Sequence, residues 1–403
     1  MDDSRTEPIR IVLAGIGGYG IHYVTALVQR EQQGAPLRLV AMVDPVATAS
    51  PVYPLVAHVP CYQDLEACLR DHPADLVVLA SPIQFHAEQI RTALAHRAHV
   101  LCEKPLCATR RQGLDLIEAQ AAAGLQVGIG YQWSFCPAIL QAREDTWAGL
   151  YGVPRVFRTR VYWPRSDAYF SRNRWAGRIR DSQGRPVYDS VLNNATAHYL
   201  HNMLFFLGSA PHEARLPERI EARLLRGNPV ETFDTALVRM EADLPDDLPV
   251  VLALAVSHAT ASLVDPDLEY RYSRGRLLVQ QGILRGELDG PDGSVKEYGP
   301  VTGPDPVADK LDAMLEAVRT GQRPPCDIRT AYAQTAVLAA IQETAPVETV
   351  PEADRVITRR DQATWLSVPG LEAVMDRFVR TLELPDSLQA ALGFGLAGEN
   401  GLL

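Results

Sequence analysis

Short apolar runs alternate with longer amphipathic stretches along the first third of the chain. Runs of four to seven apolar residues predict buried strands, and apolar positions that recur every three or four residues predict helices. The predicted strands cover residues 9–14, 37–43, 75–80, 99–102 and 125–131, and the predicted helices cover 22–33, 63–71, 84–96 and 109–123. Strands that alternate with helices in this way favour right-handed crossovers and a parallel sheet.

A two-residue alternation of apolar and polar positions begins near residue 153. It predicts strands at 153–163, 219–226, 236–241, 250–257, 269–272 and 276–280. Turns such as 290–293 favour an open, mainly antiparallel sheet, with one face on a core and the other available to a partner subunit. Helices are expected at 371–382 and 386–392, where apolar residues would dock a C-terminal tail on the body or on a partner subunit.

Composition limits the classes of protein that the chain can represent. Its 403 residues are 47% hydrophobic and 22% charged, as in ordinary globular proteins long enough for two domains. A net charge of -10 argues against a general nucleic-acid binder. Six scattered cysteines without a CxxC pair indicate reduced thiols, and no apolar run reaches membrane-spanning length. We therefore expect a cytoplasmic protein that binds neither nucleic acid nor membrane.

A glycine-rich turn joins the first predicted strand to the first predicted helix. Gly15 would allow the tight turn, Gly17 would let backbone N–H groups approach a pyrophosphate, and Gly20 would let the helix pack closely on the strand. The helix N-terminus would supply the positive end for the phosphates. The turn therefore predicts a Rossmann domain whose cofactor contacts include Gly15, Gly17, Gly18, Tyr19 and Gly20.

Asp44 ends the second predicted strand. A carboxylate there can accept hydrogen bonds from the adenosine ribose hydroxyls and repels a 2′-phosphate, and no arginine follows closely, so NAD is favoured over NADP. A glycine turn and an acidic strand end in some other α/β fold is the alternative. Ser81 and Pro82 end a later strand near the expected cofactor. His86 could approach the nicotinamide ribose, or it could be a surface histidine.

The strand at 99–102 stops abruptly at Glu103-Lys104-Pro105, because proline cannot continue a sheet ladder. A lysine at a strand end of a nucleotide-binding domain is where chemistry is expected. Beside the positively charged ring of NAD+ the pKa of Lys104 should fall, so that it could accept the proton of a substrate hydroxyl or bind the developing alkoxide. The alternative is a surface salt bridge between Glu103 and an arginine.

These motifs together resemble those of the Gfo/Idh/MocA oxidoreductase family, which includes glucose–fructose oxidoreductase and inositol dehydrogenase. The resemblance implies a Rossmann domain at residues 1–131 and an α+β domain with a large open, mainly antiparallel sheet at 132–350, followed here by a helical tail at 351–403. It implies that Lys104 lies beside the nicotinamide and the substrate, with Glu103 also at the cofactor, and that the Lys104–Pro105 bond is cis. It also implies a homodimer or homotetramer that assembles through the sheet.

The segment 189–208 resembles the second signature of that family, D-x-G-x-H-x-x-D before a helix. By this resemblance His198 takes the place of the catalytic histidine, Asn194 that of an aspartate, and His201 that of the last aspartate. Asparagine can orient a hydroxyl or a histidine but cannot take a proton, so the base would be His198 or Lys104. No further ligands accompany the two histidines at a telling spacing, so no metal is expected.

The loop from Trp163 to Trp175 is rich in arginine, asparagine and aromatic residues. A polyhydroxylated ring needs hydrogen bonds at its edge and stacking on its face, which such side chains supply. A polar loop pinned by a tryptophan is the alternative. The expected substrate contacts are Lys104, Tyr169, Arg172, Asn173, Trp175, Asn194, His198 and His201.

The leading hypothesis is an NAD-dependent dehydrogenase or reductase that acts on a secondary alcohol of a sugar, cyclitol or related polyol. Lys104, His198 and Asn194 would form its catalytic group. Asn194 in place of an acid, and Ser134 where the family usually has an arginine, motivate a second hypothesis, a non-catalytic sensor of NAD and sugar. A third hypothesis is an enzyme that recycles tightly bound NAD while it cleaves glycosides.

Overall fold

The computed structural model describes residues 7–244, 248–290 and 293–394. The described chain forms two compact units. Unit 1 comprises residues 7–140, 210–214 and 302–335, and unit 2 comprises the described residues of 141–209, 215–301 and 336–394. The C-terminal stretch 395–403 and the tip of the predicted 290–293 turn, Pro291 and Asp292, lie outside the described residues.

Unit 1 is built on a six-stranded parallel sheet in the order β3-β2-β1-β4-β5-β6. Its strands are β1 (Ile9–Ala14), β2 (Leu37–Val43), β3 (Cys61–Tyr62), β4 (Leu76–Leu79), β5 (His99–Cys102) and β6 (Val127–Ile129). The strand order reverses between β1 and β4, which is the topological switch point where doubly wound sheets bind nucleotides. The predicted Rossmann architecture is confirmed.

Twelve α-helices lie in the described part of the chain. They are α1 (Gly20–Gln32), α2 (Tyr53–Val56), α3 (Leu65–Asp71), α4 (Ile83–Ala95), α5 (Arg110–Ala123), α6 (Pro137–Trp147), α7 (Asp167–Ser171), α8 (Ala197–Phe206), α9 (Ala308–Thr320), α10 (Ile328–Thr344), α11 (Leu371–Thr381) and α12 (Leu388–Ala391). Short 3₁₀ turns occur at Ala47–Ala49, Gln132–Phe135 and Glu352–Asp354. Local sequence sets several ends: α5 begins with a capping box of Thr109 and Gln112 and ends at Gly124, whose φ is +66°.

Unit 2 contains a nine-stranded sheet in the order β14-β13-β12-β11-β7-β10-β9-β8-β15. Its strands are β7 (Pro154–Tyr162), β8 (Arg219–Arg226), β9 (Thr235–Ala242), β10 (Val250–Ser257), β11 (Val264–Tyr272), β12 (Gly275–Gln280), β13 (Ile283–Leu288), β14 (Val295–Pro300) and β15 (Val347–Thr349). The pairs β7–β10 and β8–β15 are parallel and the others antiparallel, which confirms the expectation of a mainly antiparallel sheet. A separate hairpin consists of β16 (Val356–Arg360) and β17 (Ala363–Ser367).

The predicted boundary near residue 131 differs from the division of the structure, because a later segment returns to unit 1. Helix α9 places Leu311, Met314 and Leu315 in the same buried cluster as Ile11 of β1. The sequence periods that predicted the first domain are local and carry no information on which core a later amphipathic helix joins.

The C-terminal tail packs on the sheet of unit 2 and belongs to that unit. Leu371, Met375 and Phe378 of α11 share a buried cluster with small residues of β10, among them Ala253 and Ala255. Asp376 accepts a hydrogen bond of 2.7 Å from the Tyr162 hydroxyl. The tail therefore covers part of one face of the sheet.

Candidate active site

The predicted cofactor residues lie at one edge of the parallel sheet, where several strands end. Gly15 follows β1, Asp44 follows β2, Ser81 follows β4, and Glu103 follows β5. Because the strands are parallel, their carboxyl ends share this edge, which flanks the switch point between β1 and β4.

The glycine turn has the shape that a dinucleotide site requires. A Cβ on Gly20 would lie 2.1 Å from the Gly15 carbonyl oxygen, and a Cβ on Gly15 would lie 2.7 Å from that of Ala80. By contrast, a Cβ on Gly17 or Gly18 would meet no atom within 4 Å. Gly15 and Gly20 thus serve close packing, whereas the backbone at 17–18 borders open space where a pyrophosphate could approach the N-terminus of α1.

Asp44 is fixed by two backbone amides at the end of β2. Its Oδ2 accepts a hydrogen bond of 2.9 Å from the Ile16 N–H, and its Oδ1 accepts one of 2.9 Å from the Val46 N–H. A carboxylate oxygen has two lone pairs, so each can accept a further donor such as a ribose hydroxyl. The residues present therefore fit the adenosine end of NAD.

The Lys104–Pro105 peptide bond is cis, which confirms the prediction. Lys104 itself is half-buried, and its backbone N–H lies 3.3 Å from the Glu103 Oε2, which accepts a hydrogen bond from it. Leu106 after the proline is buried. The lysine thus stands at the sheet edge between a carboxylate and an apolar segment.

Glu103 does not form the surface salt bridge with an arginine that was the alternative. Only 9% of its side chain is exposed, and it forms an ion pair with Lys310 of α9, whose side chain is 1% exposed. The Tyr23 hydroxyl donates a second hydrogen bond to Glu103 Oε1, at 2.7 Å. Lys310 is a residue that the sequence reasoning missed, although a lysine on the apolar face of α9, three residues after Val307 and four before Met314, was a usable signal.

His86 is buried and does not lie on the surface. Its Nδ1 is 2.8 Å from the Pro105 carbonyl oxygen and its Nε2 is 2.9 Å from that of Ser81. Burial lowers the pKa of His86, and the neutral ring has one N–H to donate to one of these carbonyls. This geometry favours a role in holding the ends of β4 and β5 together, and the predicted contact with the nicotinamide ribose stays a prediction.

In unit 2, one residue of helix α8 is less buried than the others. Nine of its ten residues are buried, and His198 is half-buried. The surrounding core therefore holds the backbone of His198, and its catalytic role stays a prediction.

A chain of polar contacts links Asn194 to the aromatic loop. The Asn194 Nδ2 donates a hydrogen bond of 2.8 Å to Asp189 Oδ1, and the Gly177 N–H donates one of 2.7 Å to Oδ2. The Arg172 guanidinium lies 3.8 Å from the same carboxylate and 3.8 Å from the centre of the Tyr169 ring. The structure thus brings together Tyr169, Arg172 and Asn194 of the predicted substrate residues, through Asp189.

Asn173 and Trp175 of the same loop serve a local turn. The Asn173 Oδ1 accepts hydrogen bonds from the backbone N–H groups of Trp175, at 3.0 Å, and Ala176, at 2.7 Å. The Arg172 guanidinium lies 5.5 Å from the Trp175 ring centre. Asn173 therefore shapes the loop, and its predicted contact with substrate stays a prediction.

His201 lies in a different environment from His198. It is buried with no exposed surface, and its ring stacks on Phe205 with centroids 5.7 Å apart. Burial and the nearby Arg143 guanidinium lower the pKa of His201 to about 3. It is therefore neutral near pH 7, and a direct contact with substrate is a weaker expectation than for His198.

The described residues contain no group of three or more histidine, cysteine, aspartate or glutamate side chains placed to hold a metal ion. Within that same part of the chain, no helix combines the length and the apolar character needed to cross a membrane.

Residues 9–131 match the model of an oxidoreductase family with an NAD-binding Rossmann fold, GFO_IDH_MocA. Over 147 residues the chain is 32% identical to an inositol 2-dehydrogenase of Acidothermus cellulolyticus, in an alignment that covers 36% of this chain and 42% of that protein. Over 211 residues it is 24% identical to a 2,7-anhydro-N-acetylneuraminate hydratase of Mediterraneibacter gnavus, covering 52% of each. The chain thus matches less than half the length of the inositol 2-dehydrogenases.

Among solved structures, the fold resembles that of the WlbA dehydrogenase of Bordetella pertussis in complex with NADH and UDP-GlcNAcA. The TM-score is 0.67 at 19% identity, and the match covers 84% of this chain and 96% of that one. This likeness extends over both units and shows that they share the fold of such proteins.

Proposed function

We propose that the protein transfers a hydride between NAD and a secondary alcohol or ketone of a sugar, cyclitol or related polyol, since residues 9–131 match the model of the Gfo/Idh/MocA family of NAD-binding oxidoreductases. The observation that carries the proposal is the edge of the parallel sheet, where the open glycine turn, Asp44 and Lys104 follow three strands around the switch point. That edge would supply a cofactor site with Lys104 beside it.

The cofactor would be held by the glycine turn and by Asp44. Backbone N–H groups at Gly17 and Gly18 would bind the pyrophosphate, and Asp44 would accept the ribose hydroxyls. When bound, NAD accepts a hydride from the carbinol carbon in oxidation and returns it in reduction. Asp44 repels a 2′-phosphate, so NAD is the cofactor that we propose.

Lys104 and His198 would share the proton chemistry. In one assignment His198 accepts the hydroxyl proton and the Lys104 ammonium donates a hydrogen bond to the developing alkoxide. In the other, a neutral Lys104 takes the proton and His198 orients the hydroxyl. Both assignments agree with Asn194, whose amide donates to Asp189 and cannot act as a base.

The substrate class is proposed from the polar loop of unit 2. The Arg172 guanidinium stacks on the Tyr169 ring. Arg172 and Asn194 both contact the carboxylate of Asp189. Planar donors beside aromatic faces suit the edge and the face of a polyhydroxylated ring. The named activity of the inositol 2-dehydrogenases makes cyclitols the first compounds to test.

A redox-neutral reaction is the second candidate. The relative that aligns over 211 residues is named a hydratase, not a dehydrogenase. In such a reaction the present protein would retain NAD and return the hydride within one turnover. A sensor that binds NAD and sugar without chemistry is a third outcome, motivated by Asn194 in the place of an acid.

The test is to incubate the purified protein with NAD+ and a panel of inositols, aldoses and nucleotide sugars, and to follow the absorbance of reduced nicotinamide. The proposal expects NADH with at least one cyclitol or sugar. Release of NAD from the denatured protein, with product but no net NADH, would favour the redox-neutral candidate. Thermal stabilisation by a sugar without any product would favour the sensor.

We further propose that the protein self-associates through the part of the unit 2 sheet that the tail leaves uncovered. On β11, β12 and β13 the exposed face carries paired charges such as Arg276 with Glu287 and Glu269. Light scattering of Arg276→Glu against the wild type tests the assembly, because a shift to monomer is expected.

A cytoplasmic location is proposed as well, since all six cysteines are free.

A further inference from the structure

The buried ion pair between Lys310 and Glu103 is more than an isolated contact. Its two side chains are 1% and 9% exposed, and they come from α9 and from the segment that precedes Lys104. Ions in such an environment are costly unless each is paired and hydrogen-bonded. Every contact of this pair therefore bears on how the strand-end segment is held.

The Glu103 carboxylate is held from three sides. Lys310 and the Tyr23 hydroxyl bind its Oε1, and the Lys104 backbone N–H donates to its Oε2 at 3.3 Å. A Cβ on Gly130 would lie 3.0 Å from the carboxylate, so the backbone of the neighbouring segment closes the remaining side. This arrangement restricts the carboxylate, and with it the backbone of Lys104.

Lys310 also reaches the glycine turn. Its Nζ lies 3.4 Å from the Tyr19 hydroxyl and 4.6 Å from the centre of the Tyr19 ring. The Tyr19 hydroxyl in turn donates toward the Pro306 carbonyl at 3.1 Å. Tyr19 precedes the first residue of α1, so this contact fixes the end of the turn where the pyrophosphate is expected.

Stability alone does not explain such a pair. Replacement of a buried ion pair by apolar groups of similar volume is often neutral or stabilising, so a pair kept only for folding would be dispensable as a unit. The Lys310 ammonium is instead a charged group that contacts both Glu103, before Lys104, and Tyr19, in the cofactor turn.

We propose that Lys310 is a positioning residue for the cofactor, which joins the glycine turn at Tyr19 to the Glu103–Lys104 segment and thereby sets the affinity for NAD. The inference rests on the proposed function, because it assumes that this edge of the sheet binds NAD. It concerns a residue that touches neither cofactor nor substrate and acts through Tyr19 and Glu103.

The test measures the Kd for NAD by calorimetry and the Tm without ligand. In the charge-neutral variant Lys310→Met with Glu103→Gln, no buried charge is left unpaired, so a Tm within a few degrees of the wild type is expected. Its Kd should rise about tenfold or more, which corresponds to about 1.4 kcal/mol or more. Tyr19→Phe, which removes only the hydroxyl contact, should raise the Kd by a smaller factor.

Arg143→Met is the matched control, because Arg143 is also a buried cation but lies in unit 2 against Phe205. It should lower the Tm and leave the Kd for NAD unchanged. A charge-neutral double variant that binds NAD within about twofold of the wild type would overturn the inference. So would an Arg143→Met variant that weakens NAD binding equally. If the wild type itself does not bind NAD, the proposed function fails first.

Discussion

Asn194 donates a hydrogen bond of 2.8 Å from its Nδ2 to Asp189 Oδ1, and Asp189 is 5% exposed. The amide therefore supplies a hydrogen-bond donor to one oxygen of a buried carboxylate whose other oxygen accepts the Gly177 N–H. An aspartate at position 194, which is the residue type that the family resemblance implies, would place two carboxylates face to face. The asparagine is thus matched to its buried partner.

Asn194→Asp should lower the free energy of unfolding by about 1–3 kcal/mol at neutral pH, because a hydrogen bond becomes a contact of like charges. The loss should shrink in acid, where one carboxyl takes a proton. Urea unfolding at two pH values measures both effects. The exchange variant Asn194→Asp with Asp189→Asn restores an amide–carboxylate pair and should recover most of the stability, and equal stability of the single variant and the wild type would contradict the account.

Gly17 and Gly20 should respond in opposite ways to substitution by alanine. A Cβ on Gly17 meets no atom within 4 Å, so Gly17→Ala should fold with an unchanged Tm. It should still bind NAD at least about tenfold more weakly, because the methyl group enters the space of the pyrophosphate. Gly20→Ala, whose Cβ would lie 2.1 Å from the Gly15 oxygen, should lower the Tm markedly. Calorimetry measures the Kd for NAD and thermal melts measure the Tm of both variants. An unaffected NAD affinity in Gly17→Ala would argue against a cofactor at this turn.

Asp44 should determine the choice between NAD and NADP. Asp44→Asn keeps an oxygen for one of the two backbone amides but removes the charge that repels a 2′-phosphate. We expect the ratio of the Kd for NADP to the Kd for NAD to fall by about tenfold or more. Titration with each cofactor measures it, and an unchanged ratio would mean that another group selects the cofactor. Asp64→Asn, an exposed acid at the start of α3, is the control.

His201 should make the stability of the protein depend on pH. Its pKa in the folded state is about 3, below the value of 6.5 of an unperturbed histidine. From pH 6.5 downward the unfolded chain binds a proton that the folded chain does not, so the stabilisation is complete above 6.5 and decreases as the pH falls towards 3.

The contribution of His201 to this slope is about 1.4 kcal/mol per pH unit. His201→Gln should therefore lose less stability than the wild type on acidification, although it is less stable near neutral pH. Urea unfolding across this range compares the two proteins, with His58→Gln as a variant at an exposed position. Parallel pH profiles of His201→Gln and the wild type would contradict a buried, neutral His201.

Local pattern was sufficient to predict the edge of the parallel sheet. The run at 9–14, the glycine turn and Asp44 carry their meaning within a few residues, and the structure has β1, β2 and the turn as predicted. The cis bond before Pro105 followed from the family resemblance and is present. The strands and the turn depend on backbone geometry and short spacing, which the sequence records directly.

The contacts that hold the site were not predictable in the same way. Lys310 and Glu103 are 207 residues apart in the sequence. The period of a helix does not indicate which strand end a lysine on its apolar face will contact. The short strands β13 and β14 lack a clear alternation, since Gly286 and Gly299 interrupt them. Burial of His86 likewise depends on the carbonyls of two separate strand ends.

The central claim is tested most directly by the turnover of Lys104→Met and His198→Gln with the panel compound that gives the most NADH. General acid–base catalysis contributes about 10²–10⁴-fold, so each variant should lose at least about a hundredfold in kcat while it still binds NAD. Near-full turnover in both variants would contradict the account, because neither residue could then handle the proton of the substrate hydroxyl.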